Sequence, residues 1–226
     1  MTSSTAAQAA SVSAPSARRT QTRERLINAA VGVFAERGII GASVEEISDR
    51  AGFTRGAFYS NFADKDALVL AIVQHDAERD LQAVQDISEA LMNNAELAAS
   101  APESLINIAL TRLFGDAAHD RDAMLARHEM KLYAIRRPAL RTAYRSYLDE
   151  LYGRIGGLVD RAMTAIGIEF TVDYQVAIPM LHACSDHIEM GALLADAPAD
   201  TAPMEALIKA ISRPVGGCSE GGQHTS

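Results

Sequence analysis

Apolar residues recur at helical spacing near the start of the chain. Between Arg19 and Arg37 they lie three or four positions apart, and charged or amide side chains occupy the opposite side. Gly38 follows, and a left-handed glycine there closes a last helical turn without a Cβ clash. The pattern predicts a first helix that begins near 19–21 and ends at Gly38. Its apolar stripe consists of Leu26, Ile27, Ala30, Val33 and Phe34.

Two short helices are predicted next. Ser43 stands at an N-cap position with Glu46 three residues on, which is the spacing of a capping box. Gly52 ends that helix, and Thr54 is the next N-cap. The third helix then covers 55–61.

Three short helices with a tight turn before the third predict a helix-turn-helix. Gly52 tolerates the positive φ that such a turn needs. Phe58 and Phe62 lie four apart and are expected to face inward together. Gly56 and Ala57 carry little side chain, so the third helix could approach base edges closely. The side chains left outside are those of Arg55, Tyr59, Ser60 and Asn61.

The rest of the chain also has helical periodicity. Asp64 caps a fourth helix that reaches about Met92 and would span about 40 Å. Further helices are predicted over 102–114, 121–136, 138–163, 172–194 and 203–211. No segment alternates convincingly like a strand. The fold class predicted is therefore all-α, with about nine helices: a three-helix helix-turn-helix domain and a larger helical domain, to which the resemblance described below assigns ligand binding and dimerisation.

Charge is distributed unevenly along the chain. The whole chain carries a net −8, but residues 1–62 hold seven Arg and five acidic residues, whereas the remainder is strongly acidic. A basic module on an acidic body gives such an asymmetry, and so does chance clustering.

Several classes of protein are disfavoured. Cys184 and Cys218 give neither a disulfide framework nor zinc spacing, and no apolar run is long enough to span a membrane. Residues 1–17 lack the features of a secretory signal. No phosphate loop or nucleophile motif is present. We therefore expect a cytoplasmic protein that is not an enzyme and needs no metal or cofactor.

The helix-turn-helix region resembles the N-terminal domain of the TetR (tetracycline repressor) family. The resemblance covers about residues 19–70 and rests on three segments, 41–47, 51–62 and 64–68. It implies a sequence-specific transcriptional repressor that binds a palindromic double-stranded DNA operator as a homodimer and is released by a small molecule. The alternative is a protein of the same fold that acts mainly through a protein partner or as an activator.

The resemblance also implies roles for individual residues. Arg55 would reach bases or phosphate, and Tyr59 and Lys65 would bind phosphate. Arg18 and Arg19, in a flexible arm, could grip the backbone. Ser43 and Thr54 are equally well explained as helix caps. The DNA-binding set is Ser43, Val44, Thr54, Arg55, Gly56, Ala57, Tyr59, Ser60, Asn61 and Lys65.

In the body, the family pattern assigns dimerisation to the helices near 172–194 and 203–211. A fully buried core helix is the alternative for the first of these. The effector is expected to be apolar or amphipathic, and ordinary core or surface roles compete for every ligand candidate. The candidates are His128, Tyr133, Tyr144, Tyr147, His182 and Asp186. His182 and Asp186 could also form half of a metal site, but without further ligands they are no metal centre.

The predicted organisation has four parts. A disordered arm covers 1–17, the DNA-binding domain 18–65, the helical body 66–213 and a disordered tail 214–226.

Overall fold

A computed structural model describes residues 17–93, 104 and 120–215 of the 226-residue chain. The predictions for residues 1–16, for a helix over 102–114 and for the tail from 216 onward lie outside the described residues.

The described residues are almost entirely helical, which confirms the predicted fold class. The elements are α1 (Ala17–Gly41), α2 (Val44–Arg50), α3 (Arg55–Tyr59), α4 (Lys65–Asn93), α5 (Arg121–Ile135), α6 (Pro138–Ala165), β1 (Ile168–Phe170), α7 (Tyr174–Ala195), α8 (Ala202–Ile211) and β2 (Ser212–Pro214).

The first helix differs from the prediction at both ends. It begins at Ala17, so Arg18 and Arg19 lie in its first turn and not in a flexible arm. Gly38 has a φ of 65°, which breaks the regular helix where the sequence predicts its end. One further turn follows and ends at Gly41.

A two-stranded ribbon was not predicted. Ile168 pairs with Pro214 and Phe170 with Ser212 in an antiparallel register. Three residues are too few to show an alternating pattern, which is why the sequence gives no sign of a strand here. The prediction that a disordered tail begins at 214 is wrong for this residue, because Pro214 belongs to β2 and Val215 donates its N–H to the Gly167 carbonyl at 2.8 Å.

The head, α1–α3, and the body share one buried core. Helix α5 packs along α1, α4 packs along α6, and α8 packs on α7. A single buried cluster runs from Leu26 of α1 through Leu68 of α4 to Met130 of α5. The apolar stripe of the first helix therefore packs partly against the body.

Gly52 has the positive φ that the turn between α2 and α3 was predicted to need, at 72°. A Cβ at this position would also lie 2.9 Å from Nη2 of Arg25. We expect Gly52→Ala to lower the free energy of unfolding by about 1 to 2 kcal/mol, since the side chain adds backbone strain and crowds Arg25.

Denaturant titration measures this effect. The matched control is Gly157→Ala within α6, where a Cβ would make an ordinary 3.5 Å contact with Arg161 and alanine favours the helix. Equal stability of the two variants would show that the turn imposes no such constraint.

Candidate nucleic-acid interface and body cavity

Helix α3 is anchored by two aromatic rings, as the sequence predicts. Phe58 is 0% and Phe62 is 3% exposed, and their ring centroids are 5.7 Å apart. Thr54 caps the helix by accepting a 3.3 Å hydrogen bond from the N–H of Ala57. The short helix thus has its apolar side in the core and its N-terminus closed by a side chain.

The opposite side of α3 is open. Arg55, Gly56, Tyr59 and Ser60 are exposed, and Ala57 is half-buried. The Ser60 hydroxyl donates to the Gly56 carbonyl at 2.9 Å. This outer side of α3, residues 55, 56, 59 and 60, is hereafter the reading face.

Two predicted contact residues turn away from the reading face. The Asn61 amide nitrogen donates to the Ala57 carbonyl at 2.8 Å, and its Oδ1 is buried without a partner among the described residues. Val44 is half-buried against the core of the head. The expectation that Asn61 is left outside is corrected, because its side chain folds back onto α3; Val44 lies on the inner side of α2, and a DNA contact from it stays a prediction.

Arginines of α1 hold the turn and the end of the reading helix. Arg25 donates from Nη2 to the Ala51 carbonyl at 2.7 Å, and its guanidinium lies 4.6 Å from the centre of the Phe53 ring. Arg23 donates to the Asn61 carbonyl at 3.2 Å. These bonds supply donors to carbonyls that a helix end leaves without intrahelical partners.

Sequence reasoning missed this role for the α1 arginines. Arg19 also reaches the end of α3, with Nη2 3.4 Å from the Ser60 carbonyl. Arg19 and Arg23 are four apart and so share one side of the helix. That spacing indicates a common target but does not identify the helix end.

Three of the five acidic residues of the head are paired with arginines. Such pairing reduces the repulsion that they would exert on DNA phosphates. The pairs are Arg55 with Glu45 at 2.5 Å, Arg37 with Glu46 at 2.5 Å and Arg50 with Glu36 at 2.6 Å.

One of the two hydrogen bonds of the predicted capping box is present. Ser43 Oγ accepts a 3.1 Å hydrogen bond from the N–H of Glu46. The Glu46 carboxylate, however, lies on Arg37. Ser43 therefore caps α2, while Glu46 ties α2 to the end of α1.

Lys65 is engaged within the protein. Its Nζ donates to the Ile39 carbonyl at 2.7 Å and to the Ala42 carbonyl at 2.8 Å. Burial, followed by the nearby positive charge of Arg137, lowers the pKa of Lys65. An ammonium has three protons, so a phosphate contact from Lys65 would use the third and stays a prediction.

The start of α4 is joined to the body by a three-residue clasp. The Tyr133 hydroxyl donates to Asp66 Oδ1 at 2.8 Å, and Arg137 Nη1 donates to Asp66 Oδ2 at 3.2 Å. The Arg137 guanidinium lies 4.4 Å from the centre of the Tyr133 ring. Burial and the Asp66 carboxylate raise the pKa of Tyr133 to about 12. Tyr133 thus ties α5 to the first turn of α4, directly after the head.

A cavity of about 290 Å³ opens between α4, α5, α6, α7 and α8. Four of the six predicted ligand residues line it: Tyr144, Tyr147, His182 and Asp186. Tyr133 and His128 do not line it, and their placement in the ligand set is corrected. His128 was misplaced because helical spacing does not show which neighbouring helix covers a side chain; its buried Nε2 faces Glu189 Oε2 at 3.7 Å.

No metal site is evident within the described residues. They contain no group of three or more His, Cys, Asp or Glu side chains placed to hold an ion. His182 Nε2 and Asp186 Oδ1 are 3.8 Å apart. Among the same residues, no helix is long and apolar enough to cross a membrane.

A capped helix with an exposed polar side, held behind a tight glycine turn, defines the head as a helix-turn-helix of the kind found in DNA-binding transcriptional regulators. Sequence models of two family domains match the chain. "Bacterial regulatory proteins, tetR family" matches residues 26–72, and "Tetracyclin repressor-like, C-terminal domain" matches residues 102–214. The chain belongs to the TetR family of transcriptional regulators.

Curated relatives match part of the chain. AcnR of Corynebacterium glutamicum, an HTH-type transcriptional repressor, is 36% identical over 67 residues, or 30% of this chain and 36% of the relative. UidR of Escherichia coli K12 is 40% identical over 60 residues, or 26% and 31%. YerO of Bacillus subtilis is 26% identical over 100 residues, or 44% and 32%. The aligned part is thus about a third of each relative's length.

Solved structures match over most of the chain. A TetR-family member from Streptomyces coelicolor has a TM-score of 0.60 at 26% identity, covering 84% of this chain and 98% of the other. SmeT of Stenotrophomonas maltophilia has a TM-score of 0.58 at 21% identity, covering 85% and 93%. The fold and the family are those of transcriptional regulators.

We expect Arg25→Ala to weaken binding to a DNA duplex selected by the protein from a random library, by about tenfold. The slope of log affinity against log salt should stay unchanged, because this guanidinium is used on the Ala51 carbonyl and not on phosphate. Fluorescence anisotropy at several salt concentrations measures both quantities. A slope that falls by about two, one per subunit of a dimer, would instead place Arg25 on the DNA backbone.

Proposed function

We propose that the protein is a repressor that binds a palindromic operator as a homodimer and leaves it when a small molecule enters the body cavity. The reading face of α3 is the observation that carries the proposal. It presents a guanidinium, a phenol and a hydroxyl around Gly56, on a helix whose other side is buried. These are the groups that contact phosphates and base edges in a major groove.

The Arg55 side chain is already oriented in the protein without DNA. Its Nη1 lies 2.5 Å from Glu45 Oε1, and its guanidinium is 5.5 Å from the centre of the Tyr59 ring. The ion pair is exposed on both sides, and such pairs contribute little to stability. Exchanging Glu45 for a base edge or a phosphate therefore costs little.

Two relatives support repression as the direction of regulation. AcnR is described as a transcriptional repressor, and SmeT as the repressor of a multidrug efflux pump. A DNA-binding domain bound at an operator blocks transcription by occupying the site, so repression requires no additional interaction surface.

The Arg55–Glu45 pair gives two substitutions with opposite expected effects. Arg55→Ala should weaken binding to the selected duplex by about tenfold or more, because a contact to a base edge or phosphate is lost. Glu45→Gln should strengthen binding, because it removes a negative charge near phosphate and frees Arg55. Tyr59→Phe should weaken binding if the phenol hydroxyl contacts phosphate.

Gel-shift titration measures these affinities, and size-exclusion chromatography checks that the oligomeric state persists. The matched control is Arg145→Ala, an exposed arginine of α6 with its own carboxylate partner, Asp149. If Arg55→Ala bound DNA as tightly as Arg145→Ala, α3 would not be the reading helix.

Dimerisation is supported by an uncovered stripe on α7. Its outward residues recur at intervals of four and three, which is the spacing of a helix seam, and all of them are exposed. Leu194 is 81% exposed. The stripe consists of Val176, Met180, Ala183, His187, Met190 and Leu194. A mostly apolar stripe of this length is typical of an association surface.

The opposite side of α7 is buried within the same chain, so α7 is not the fully buried core helix considered as the alternative. Ile178, Ile188 and Leu193 are buried there. The last helix, α8, buries Met204 and Ile211 and presents small residues such as Ala206 and Ala210 outward. Its participation in the dimer stays a prediction.

We expect Met180→Glu to convert the dimer to monomer, because a carboxylate in an apolar seam would be buried without a partner. Light scattering coupled to size-exclusion chromatography gives the mass directly. Leu132→Glu is the matched control: it is an exposed apolar residue of α5 that lies off the stripe. A wild-type monomer, or a Met180→Glu dimer, would contradict the proposed seam.

Release by a small molecule is supported by the cavity and by the position of α5. Lys131 contacts Asp186 in the cavity wall, while Tyr133 two residues later holds Asp66 in the first turn of α4, next to the head. A ligand that displaces α5 would thus disturb both the contact between Lys131 and Asp186 and the hydrogen bond between Tyr133 and Asp66. EbrR is a multidrug binding protein whose structure was solved in complex with malachite green. It is 25% identical to this chain, with a TM-score of 0.56 that covers 84% of this chain and 97% of EbrR.

A further inference from the structure

The cavity wall is mostly apolar. All five helices around the cavity contribute apolar side chains, and the largest group comes from α6, α7 and α8. This group includes Leu151, Ile155, Ile178, Leu181, Met204 and Ile208. Pockets of this composition bind apolar groups and use a few polar side chains to select among them.

The basic side chains that α5 contributes to the wall are neutralised by α7. Arg127 binds Glu189 through two bonds, Nη2 to Oε1 at 3.0 Å and Nε to Oε2 at 3.3 Å, and both side chains are mostly buried. Lys131 contacts the carboxylate of Asp186. An anionic ligand would have to displace one of these carboxylates to reach a positive charge.

The wall contributed by α4 carries two carboxylates and one guanidinium. Asp76 and Asp80 are one helical turn apart and share Arg79, 3.8 Å from Asp76 and 3.4 Å from Asp80. Arg127, already paired with Glu189, attracts both carboxylates from across the cavity. The Asp76 side chain is 18% exposed, whereas that of Arg79 is 48% exposed. The Asp76 carboxylate is therefore mostly shielded from water in the cavity wall, whereas about half of the Arg79 side chain that pairs with it is in contact with solvent.

The described lining residues sum to one negative charge. Four carboxylates face three basic side chains in this formal count. Burial, followed by the charge of Lys131, lowers the pKa of His182 and favours its neutral form. Desolvation raises the pKa of Asp80, so that Asp76 is the carboxylate of α4 on which the preference depends. In a partly desolvated cavity a single charge discriminates strongly between cations and anions.

The aromatic rings of the cavity wall also favour a cation over an anion. Tyr144, Tyr147 and Tyr152 all line the cavity, and the Tyr152 ring lies 5.4 Å from that of His182. Burial and the negative charge of Asp186 raise the pKa of Tyr152 to about 12, so its hydroxyl stays protonated. The faces of neutral phenol rings attract cations.

We propose that this cavity selects lipophilic organic cations, with the positive charge near Asp76 and the apolar groups among α6, α7 and α8. The inference rests on the proposed function in taking the cavity as the effector site, and it adds the charge of the effector.

Two ions of nearly the same shape and opposite charge test it: tetraphenylphosphonium and tetraphenylborate, titrated into the full-length protein in sodium buffer. Calorimetry should show the cation binding at least about tenfold more tightly than the anion. Asp76→Asn should remove most of that preference. Asp86→Asn is the matched control, because it makes the same change at an exposed position of the same helix that is not part of the cavity wall.

Equal affinity for the two ions, tighter binding of tetraphenylborate, no binding of either ion, or an Asp76→Asn variant that behaves like Asp86→Asn would each overturn the inference. If Asp76→Asn does not fold, Asp80→Asn replaces it, with a smaller expected loss of preference that still exceeds the effect of Asp86→Asn, because the Asp80 carboxylate is more exposed but lines the cavity. Release of the selected duplex is measured separately. If the cation binds but the protein stays on the duplex, release is contradicted and the charge selectivity is supported. If the protein binds no duplex at all, the proposed function alone is contradicted.

Discussion

The burial of Phe58 and Phe62 is the interaction on which the head depends. Helix α3 has five residues, far fewer than an isolated helix needs to persist in water. Each buried aromatic ring contributes about 2 to 3 kcal/mol by leaving water, and together the rings fix which side of α3 is turned outward. The orientation of Arg55 and Tyr59 is thus a consequence of the two rings behind them, held in turn by the arginines of α1.

The same reasoning extends from head to body, because the two share a core. The cluster that begins at Leu26 continues to Met130, and the clasp of Tyr133, Asp66 and Arg137 closes its edge with directed bonds. Helix α5 therefore has one end on the head and another part in the cavity wall. Helix α1 lies between α5 and the reading helix, because it packs on α5 and its arginines bond the carbonyls at the end of the reading helix.

The features that could be predicted from sequence are those determined locally. Ser43 and Thr54 cap the helices that follow them, Gly52 supplies a positive φ, and Phe58 with Phe62 repeats at helical spacing. Each depends on neighbours within a few residues, and each is found as expected.

The features that could not be predicted depend on residues distant in sequence. Arg25 reaches a carbonyl 26 positions away, and Tyr133 reaches a carboxylate 67 positions away. Periodicity shows that such a side chain lies on an inner or outer side, but not which helix it meets. Tyr133 and His128 were assigned to the cavity for that reason, and the ribbon of Ile168–Phe170 was missed because its partner strand is 44 residues on.

The central claim is that two copies of one reading helix recognise DNA on a two-fold axis. Selection of duplexes from a random library, followed by hydroxyl-radical footprinting of the enriched sequence, tests it most directly. The account predicts an inverted repeat with two protected patches related by symmetry, since each head reads one half-site. Enrichment of no sequence, or a single patch without symmetry, would contradict it.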